Sequence, residues 1–82
     1  MRIVLVEDEQ RMAQALCEIL RQEKYQVDHY SSGLDGLAAI ESNIYDIVIL
    51  DVMLPGMDGF EIAKRARSQG IVTPILMLTA KA

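Results

Sequence analysis

Short, uninterrupted apolar runs alternate along the chain with segments in which apolar residues recur three and four positions apart. The runs are rich in β-branched residues, which is typical of parallel strands that are covered on both faces. The second run is more polar, with Gln26, Asp28 and His29, and this composition favours an edge position in the sheet. We predict four strands from this pattern, at residues 3–6, 26–30, 47–50 and 75–78.

The segments between these strands predict three amphipathic helices. The first follows the acidic residues 7–9, the others lie roughly at 34–42 and 60–68, and Gly70 ends the third. Strands that alternate with helices imply right-handed crossovers and a parallel sheet, so the predicted class is α/β. We expect the first helix to face the sheet with one apolar stripe, formed by Met12, Ala15, Leu16, Ile19 and Leu20.

Composition narrows the class of protein further. The 82 residues suffice for one domain, and 51% of them are hydrophobic, which indicates a globular chain. A net charge of −4 gives no sign of nucleic acid or an anionic membrane as a direct partner. The single cysteine, Cys17, excludes an internal disulfide, and no apolar run approaches the ~18 residues of a membrane span, so we expect a cytoplasmic protein.

Polar residues follow three of the four predicted strands: the pair Glu7 and Asp8, then Asp51, then Thr79. Ligands of parallel α/β sheets bind outside the carboxyl ends of the strands. If strands one and three are neighbours, the carboxylates meet at one rim, where they repel one another. A hard divalent cation removes this repulsion, and carboxylate, carbonyl and water ligands suit magnesium.

Each of these residues also has an ordinary structural interpretation. An aspartate after a strand, such as Asp8 or Asp58, is most often a helix cap, and a threonine such as Thr79 suits a strand end. His29 is expected to be a surface residue and not a ligand, and Cys17 to be partly buried and unreactive. The coincidence of several such residues at one rim is what favours a functional site.

Three segments, VLVEDE, ILDVMLPGMDG and PILMLTA, resemble the receiver domains of two-component response regulators, in register along all 82 residues. The motifs LPGMDG and LTAK are most similar to those of the branch that carries a winged-helix DNA-binding output domain. The resemblance, and not the periodicity, implies a flavodoxin-like sheet in the order 2-1-3-4 with helices on both faces.

The resemblance also implies a role for each residue at the rim. Asp51 is implied as the phosphoacceptor, which takes a phosphoryl group from a sensor histidine kinase to give an acyl phosphate. Mg²⁺ is implied as the cofactor, bound by Asp8, by Glu7 through water, by Asp51 and by the backbone carbonyl of Met53. The phosphoryl oxygens are implied to bind the hydroxyl of Thr79 and the backbone N–H groups of Met53 and Ala80. Such domains catalyse their own phosphorylation and dephosphorylation without being conventional enzymes.

The family has five strands, and this sequence stops after the fourth. We therefore expect residues 1–82 to be an incomplete receiver domain without a fifth βα unit or an output domain, so that DNA is contacted only through a domain outside it. Lys81 is not identified with the lysine that the family places after strand five. Strand four is expected to be an exposed edge, at which two copies pair or exchange elements.

Other functions remain as alternatives. The chain could act as a self-associating or scaffold module without phosphorylation. An aspartyl phosphatase would place a second carboxylate two residues after Asp51, where the sequence has Met53. Flavin binding is disfavoured because the loop lacks a phosphate cradle rich in serine, threonine and glycine.

Overall fold

The computed structural model of the chain describes residues 1–78. The resemblance gave phosphate-binding roles to Thr79 and Ala80, and Lys81 was not identified with the lysine of the family. These three residues lie outside the described residues. None of the helices in this range has the length and apolar character that a membrane crossing requires. The elements in chain order are β1 (Arg2–Val6), α1 (Gln10–Gln22), β2 (Gln26–Tyr30), α2 (Gly33–Glu41), β3 (Ile47–Asp51), α3 (Gly59–Ser68) and β4 (Ile75–Leu78).

The four strands form one parallel sheet in the order β2-β1-β3-β4. This arrangement confirms the predicted flavodoxin-like α/β class and the edge position of β2. The central strands are nearly inaccessible, and Val4, Leu5 and Leu50 are fully buried. Continuous apolar runs occur in β1 and β3 because helices cover both faces of these strands.

Alternate residues of the central strands pack on opposite faces of the sheet. On one face, Val4 and Val48 belong to a core that includes Ile62 of α3. On the other, Leu5 and Ile49 pack with Ala13 of α1. Helices α2 and α3 therefore share one face, and α1 covers the other.

The predicted apolar stripe of α1 is confirmed only in part: Leu16 and Leu20 pack against the core, whereas Met12, Ala15 and Ile19 are exposed. The fully buried residues of this helix are Ala13 and Cys17, whereas Met12 and Ile19 are 42% and 58% exposed. Small side chains at 13 and 17 let the helix lie close to the sheet, so the larger apolar residues fall beside this contact. Cys17, expected to be partly buried, is fully buried.

The three helices begin at side-chain caps. Glu9, Ser32 and Asp58 each accept hydrogen bonds from backbone N–H groups of the first turn that follows. The cap interpretation of Asp58 is thereby confirmed, whereas α1 is capped by Glu9 and not by Asp8. Gly70, with φ +82°, ends α3 as predicted.

Candidate metal centre

Three carboxylates meet at the carboxyl ends of the two central strands. Asp51 is the last residue of β3, and Glu7 directly follows β1. Oxygen atoms of Glu7, Asp8 and Asp51 all lie within 4.8 Å of one another. The parallel pairing of Val6 with Leu50 brings these chain segments side by side, so the sheet itself creates the cluster.

The cluster combines buried and exposed acids. Glu7 is 3% exposed and Asp51 is 5% exposed, whereas Asp8 faces solvent. Burial raises the pKa of the Glu7 carboxyl above its ordinary value, and the charges of Asp51 and Asp8 raise it further. The backbone N–H of Glu9 acts in the opposite direction. A cation bound among the three groups would offset this repulsion and favour the ionised form of Glu7.

Hydrogen bonds from nearby backbone groups hold the buried carboxylates. Oε2 of Glu7 accepts the N–H of Glu9 at 2.9 Å, and Oδ1 of Asp51 accepts the N–H of Met53 at 3.1 Å. The side chain of Met53 is 60% exposed. The structure thus brings the backbone of Met53 next to Asp51, and the backbone is the part of Met53 to which the family resemblance gives a role.

The loop after β3 folds back tightly under Asp51. Gly59 donates its N–H to the carbonyl of Val52 at 2.8 Å. A Cβ atom at Gly59 would lie 2.4 Å from the carbonyl oxygen of Asp51 and 3.0 Å from the Cα of Val52. Only glycine permits this approach. Between Val52 and Gly59, Gly56 adopts φ +80°, a backbone conformation that favours glycine.

A cavity of about 560 Å³ opens beside the carboxylates. Its walls are acidic at the cluster and apolar elsewhere, where Met12, Leu16 and Leu78 line it. The donor set, with several carboxylates and a neighbouring backbone, fits magnesium better than a softer metal.

Sequence reasoning predicted the carboxylates but missed two residues that support them. The sequence placed Gly59 just before the third helix, within the segment ILDVMLPGMDG, and His29 on the surface. His29 is half-buried, and its Nε2 lies 2.8 Å from the carbonyl oxygen of Glu7. The parallel alignment of Leu5 with His29 is the signal that would have revealed this neighbourhood, because it places the end of β2 beside residue 7.

Fold and site together define a class of signalling domain. The chain belongs to the response regulator receiver domain family, whose model matches residues 3–82. In this family Mg²⁺ binds at the acidic pocket. The chain is 49% identical over 80 residues to the transcriptional regulatory protein TcrA of Mycobacterium tuberculosis, covering 98% of this chain and 32% of that protein. It is 48% identical over 80 residues to PcoR of Escherichia coli, covering 98% and 35%.

Solved structures agree with this assignment. The Mg²⁺–BeF complex of the response regulator TrrA from Thermotoga maritima superimposes with a TM-score of 0.91 at 37% identity, over 99% of this chain and 70% of that one. The receiver domain of the Francisella response regulator 1452 gives a TM-score of 0.92 at 28% identity, over 98% and 66%. The chain spans about a third of the length of the curated relatives it matches.

Proposed function

We propose that this chain is a phosphoacceptor domain in which Asp51 receives a phosphoryl group from a phosphohistidine of a sensor histidine kinase. The observation that carries the proposal is the meeting of Glu7, Asp8 and Asp51 at one rim, with Asp51 buried at the end of a central strand. A lone aspartate there would be an ordinary strand-end residue. Three carboxylates together provide both a nucleophile and a cation site.

The residues of the rim divide the chemistry between them. A carboxylate oxygen of Asp51 forms the new bond to phosphorus as the bond from phosphorus to the donor breaks, giving an acyl phosphate. The N–H of Met53 fixes the rotation of that carboxylate before the donor arrives. Glu7, Asp8, Asp51 and the carbonyl of Met53 would hold Mg²⁺. The bound cation would neutralise charge that develops on the phosphoryl oxygens.

The remaining site residues are proposed from the resemblance. The hydroxyl of Thr79 and the N–H groups of Met53 and Ala80 would bind phosphoryl oxygens. Curated relatives bear the name transcriptional regulatory protein, which supports a role in controlling transcription. We place this control in a DNA-binding output domain of the whole protein, acting in the cytoplasm with its kinase. Residues 1–82 would contribute strands one to four of the receiver domain.

Strand β4 favours a second candidate function, which is self-association without phosphorylation. Within residues 1–78, β4 pairs with β3 on one side only, and Leu76 on this strand is 56% exposed. Unpaired backbone groups on an edge strand are a template for pairing with another chain. Light scattering of wild type and Leu76→Lys tests this alternative. A dimer that the substitution dissociates, in a chain that accepts no phosphoryl group, would favour it over phosphotransfer.

The leading proposal is tested by incubation with acetyl phosphate and Mg²⁺, followed by intact-mass measurement. Wild type is expected to gain one phosphoryl group, and Asp51→Asn to gain none. Asp35→Asn is the matched control, because Asp35 is an exposed aspartate in the first turn of α2. A wild-type chain that gains no phosphoryl group, or an Asp51→Asn variant that gains one at the wild-type rate, would overturn the proposal.

A further inference from the structure

The main chain of Glu7 is held on both sides by the last two residues of β2. Its N–H donates to the carbonyl of Tyr30 at 3.1 Å. Its carbonyl oxygen lies 2.8 Å from Nε2 of His29. A carbonyl oxygen only accepts, so Nε2 of His29 carries the proton in this bond. The edge strand of the sheet therefore fixes the backbone of a residue at the metal centre.

The side-chain hydrogen bond from His29 takes the place of a backbone hydrogen bond between β1 and β2. The parallel ladder pairs Val6 with Tyr30, and the next donor along β2 would come from Ser32. Ser32 instead caps α2, where its side chain accepts the N–H of Asp35. Because the backbone of β2 has turned away, the imidazole of His29 reaches across to the carbonyl of Glu7.

That carbonyl belongs to the peptide group that joins Glu7 to Asp8. Fixing this peptide plane fixes the direction in which the exposed Asp8 leaves the backbone. The buried Glu7 side chain has a backbone partner of its own in Glu9, whereas Asp8 faces solvent. The orientation of Asp8 toward Asp51 consequently depends on the peptide that His29 holds.

We propose that His29 is a positioning residue of the metal centre, which orients the Glu7–Asp8 peptide so that both carboxylates can bind the same divalent cation. The inference rests on the proposed function for the identity of the cation, Mg²⁺. His29 acts through the backbone of Glu7 and does not itself contact the cation. Removing such an orienting group weakens metal affinity even when every ligand remains.

A purely structural role for His29 makes a different prediction. A bond that only joins β1 to β2 would contribute to the free energy of unfolding and leave Mg²⁺ affinity unchanged. The chain contains a matched control for this case. The guanidinium of Arg21 on α1 donates to the carbonyl of Val27 on β2 at 2.9 Å, and Val27 is paired with Ile3, four residues before Glu7.

The test measures the Mg²⁺ dissociation constant by calorimetry for wild type, His29→Leu, His29→Gln and Arg21→Gln. His29→Leu is expected to weaken binding about tenfold, the lower end of the range for groups that orient a metal ligand. His29→Gln is expected to restore most of the affinity, because its amide nitrogen replaces Nε2 as donor. Arg21→Gln is expected to bind Mg²⁺ like wild type. Circular dichroism establishes that each variant is folded.

Several results would overturn the inference. Wild-type affinity in His29→Leu would do so, as would an equal loss in Arg21→Gln. If His29→Leu does not fold, His29→Asn replaces it, since its shorter amide does not reach the carbonyl of Glu7. Equal affinity of the Asn and Gln variants would then contradict the inference. A wild-type chain without Mg²⁺ affinity overturns both this inference and the metal part of the proposed function, whereas a wild-type chain that binds Mg²⁺ limits any failure to His29.

Discussion

Replacing Gly59 by alanine should lower both the stability of this chain and the rate of its proposed phosphorylation. The new Cβ would lie 2.4 Å from the carbonyl oxygen of Asp51, where ordinary contacts begin at 3.4 Å, so the backbone must shift by about 1 Å. Overpacking of this kind costs about 1–3 kcal/mol. Alanine recovers about 0.4–1 kcal/mol by restricting the unfolded chain. We therefore expect a net loss of up to about 2.6 kcal/mol.

The same shift moves Asp51, the proposed phosphoacceptor. A displacement of about 1 Å at a reacting group can lower a rate by up to about a hundredfold. Urea denaturation measures the stability, and acetyl phosphate with Mg²⁺ measures the phosphorylation rate. Gly70→Ala is the control: a Cβ there meets no atom within 4 Å, but φ is +82°, which costs about 1–2 kcal/mol far from Asp51. If Gly59→Ala matches wild type in both assays, or Gly70→Ala is equally slow, the reasoning is wrong.

Three further changes test individual interactions by urea denaturation. Tyr45→Phe removes the hydroxyl that donates to Asp28 at 2.6 Å and should lower stability by about 1 kcal/mol at neutral pH. Burial, reinforced by Asp28, raises the Tyr45 pKa above its ordinary 10.0. The difference in the free energy of unfolding between wild type and Tyr45→Phe should therefore shrink as pH rises above 10.0. A difference that stays constant with pH would contradict the raised pKa. The Glu7 pKa is raised above its ordinary 4.5, so the unfolded chain loses this proton at lower pH than the folded chain does. With a chelator present, wild type should therefore lose more stability than Glu7→Gln as pH rises from 4.5 toward neutrality. Equal dependence of stability on pH in the two proteins would refute this. Ile62→Ala empties a fully buried position and should cost about 2–5 kcal/mol, and a loss below about 1 kcal/mol would show that the core collapses around it.

Sequence patterns predicted the strands better than the buried face of the first helix. The predicted bounds of β2 and β4 match the structure to the residue, because β4 is an apolar run and the more polar β2 is followed by the turn-forming residues Ser31, Ser32 and Gly33. In α1, Met12 and Ile19 satisfied the helical spacing but remain exposed. A stripe of larger apolar residues could not reveal that the small residues Ala13 and Cys17 make the closest approach.

The carboxylates of the site were predictable, whereas the groups that hold them were not. Glu7, Asp8 and Asp51 each lie at or just after a strand end, and strand order alone brings them together. The contact of His29 with Glu7 depends on the register of β1 against β2, which periodicity does not determine. The close approach of Gly59 to Asp51 depends on the path of the loop between β3 and α3.

Coupled binding of Mg²⁺ and beryllofluoride, followed by NMR, tests the central claim most directly. Beryllofluoride occupies the position of a phosphoryl group on a carboxylate, and the related TrrA structure is a complex with Mg²⁺–BeF. We predict that Mg²⁺ alone shifts the backbone signals of Asp51 and Met53. Beryllofluoride is expected to add a further shift at Asp51, Met53 and Gly59 only when Mg²⁺ is present, and Asp51→Asn is expected to abolish this further shift. A beryllofluoride-dependent shift that appears without Mg²⁺, or that persists in Asp51→Asn, would contradict a phosphoacceptor site built from these three carboxylates.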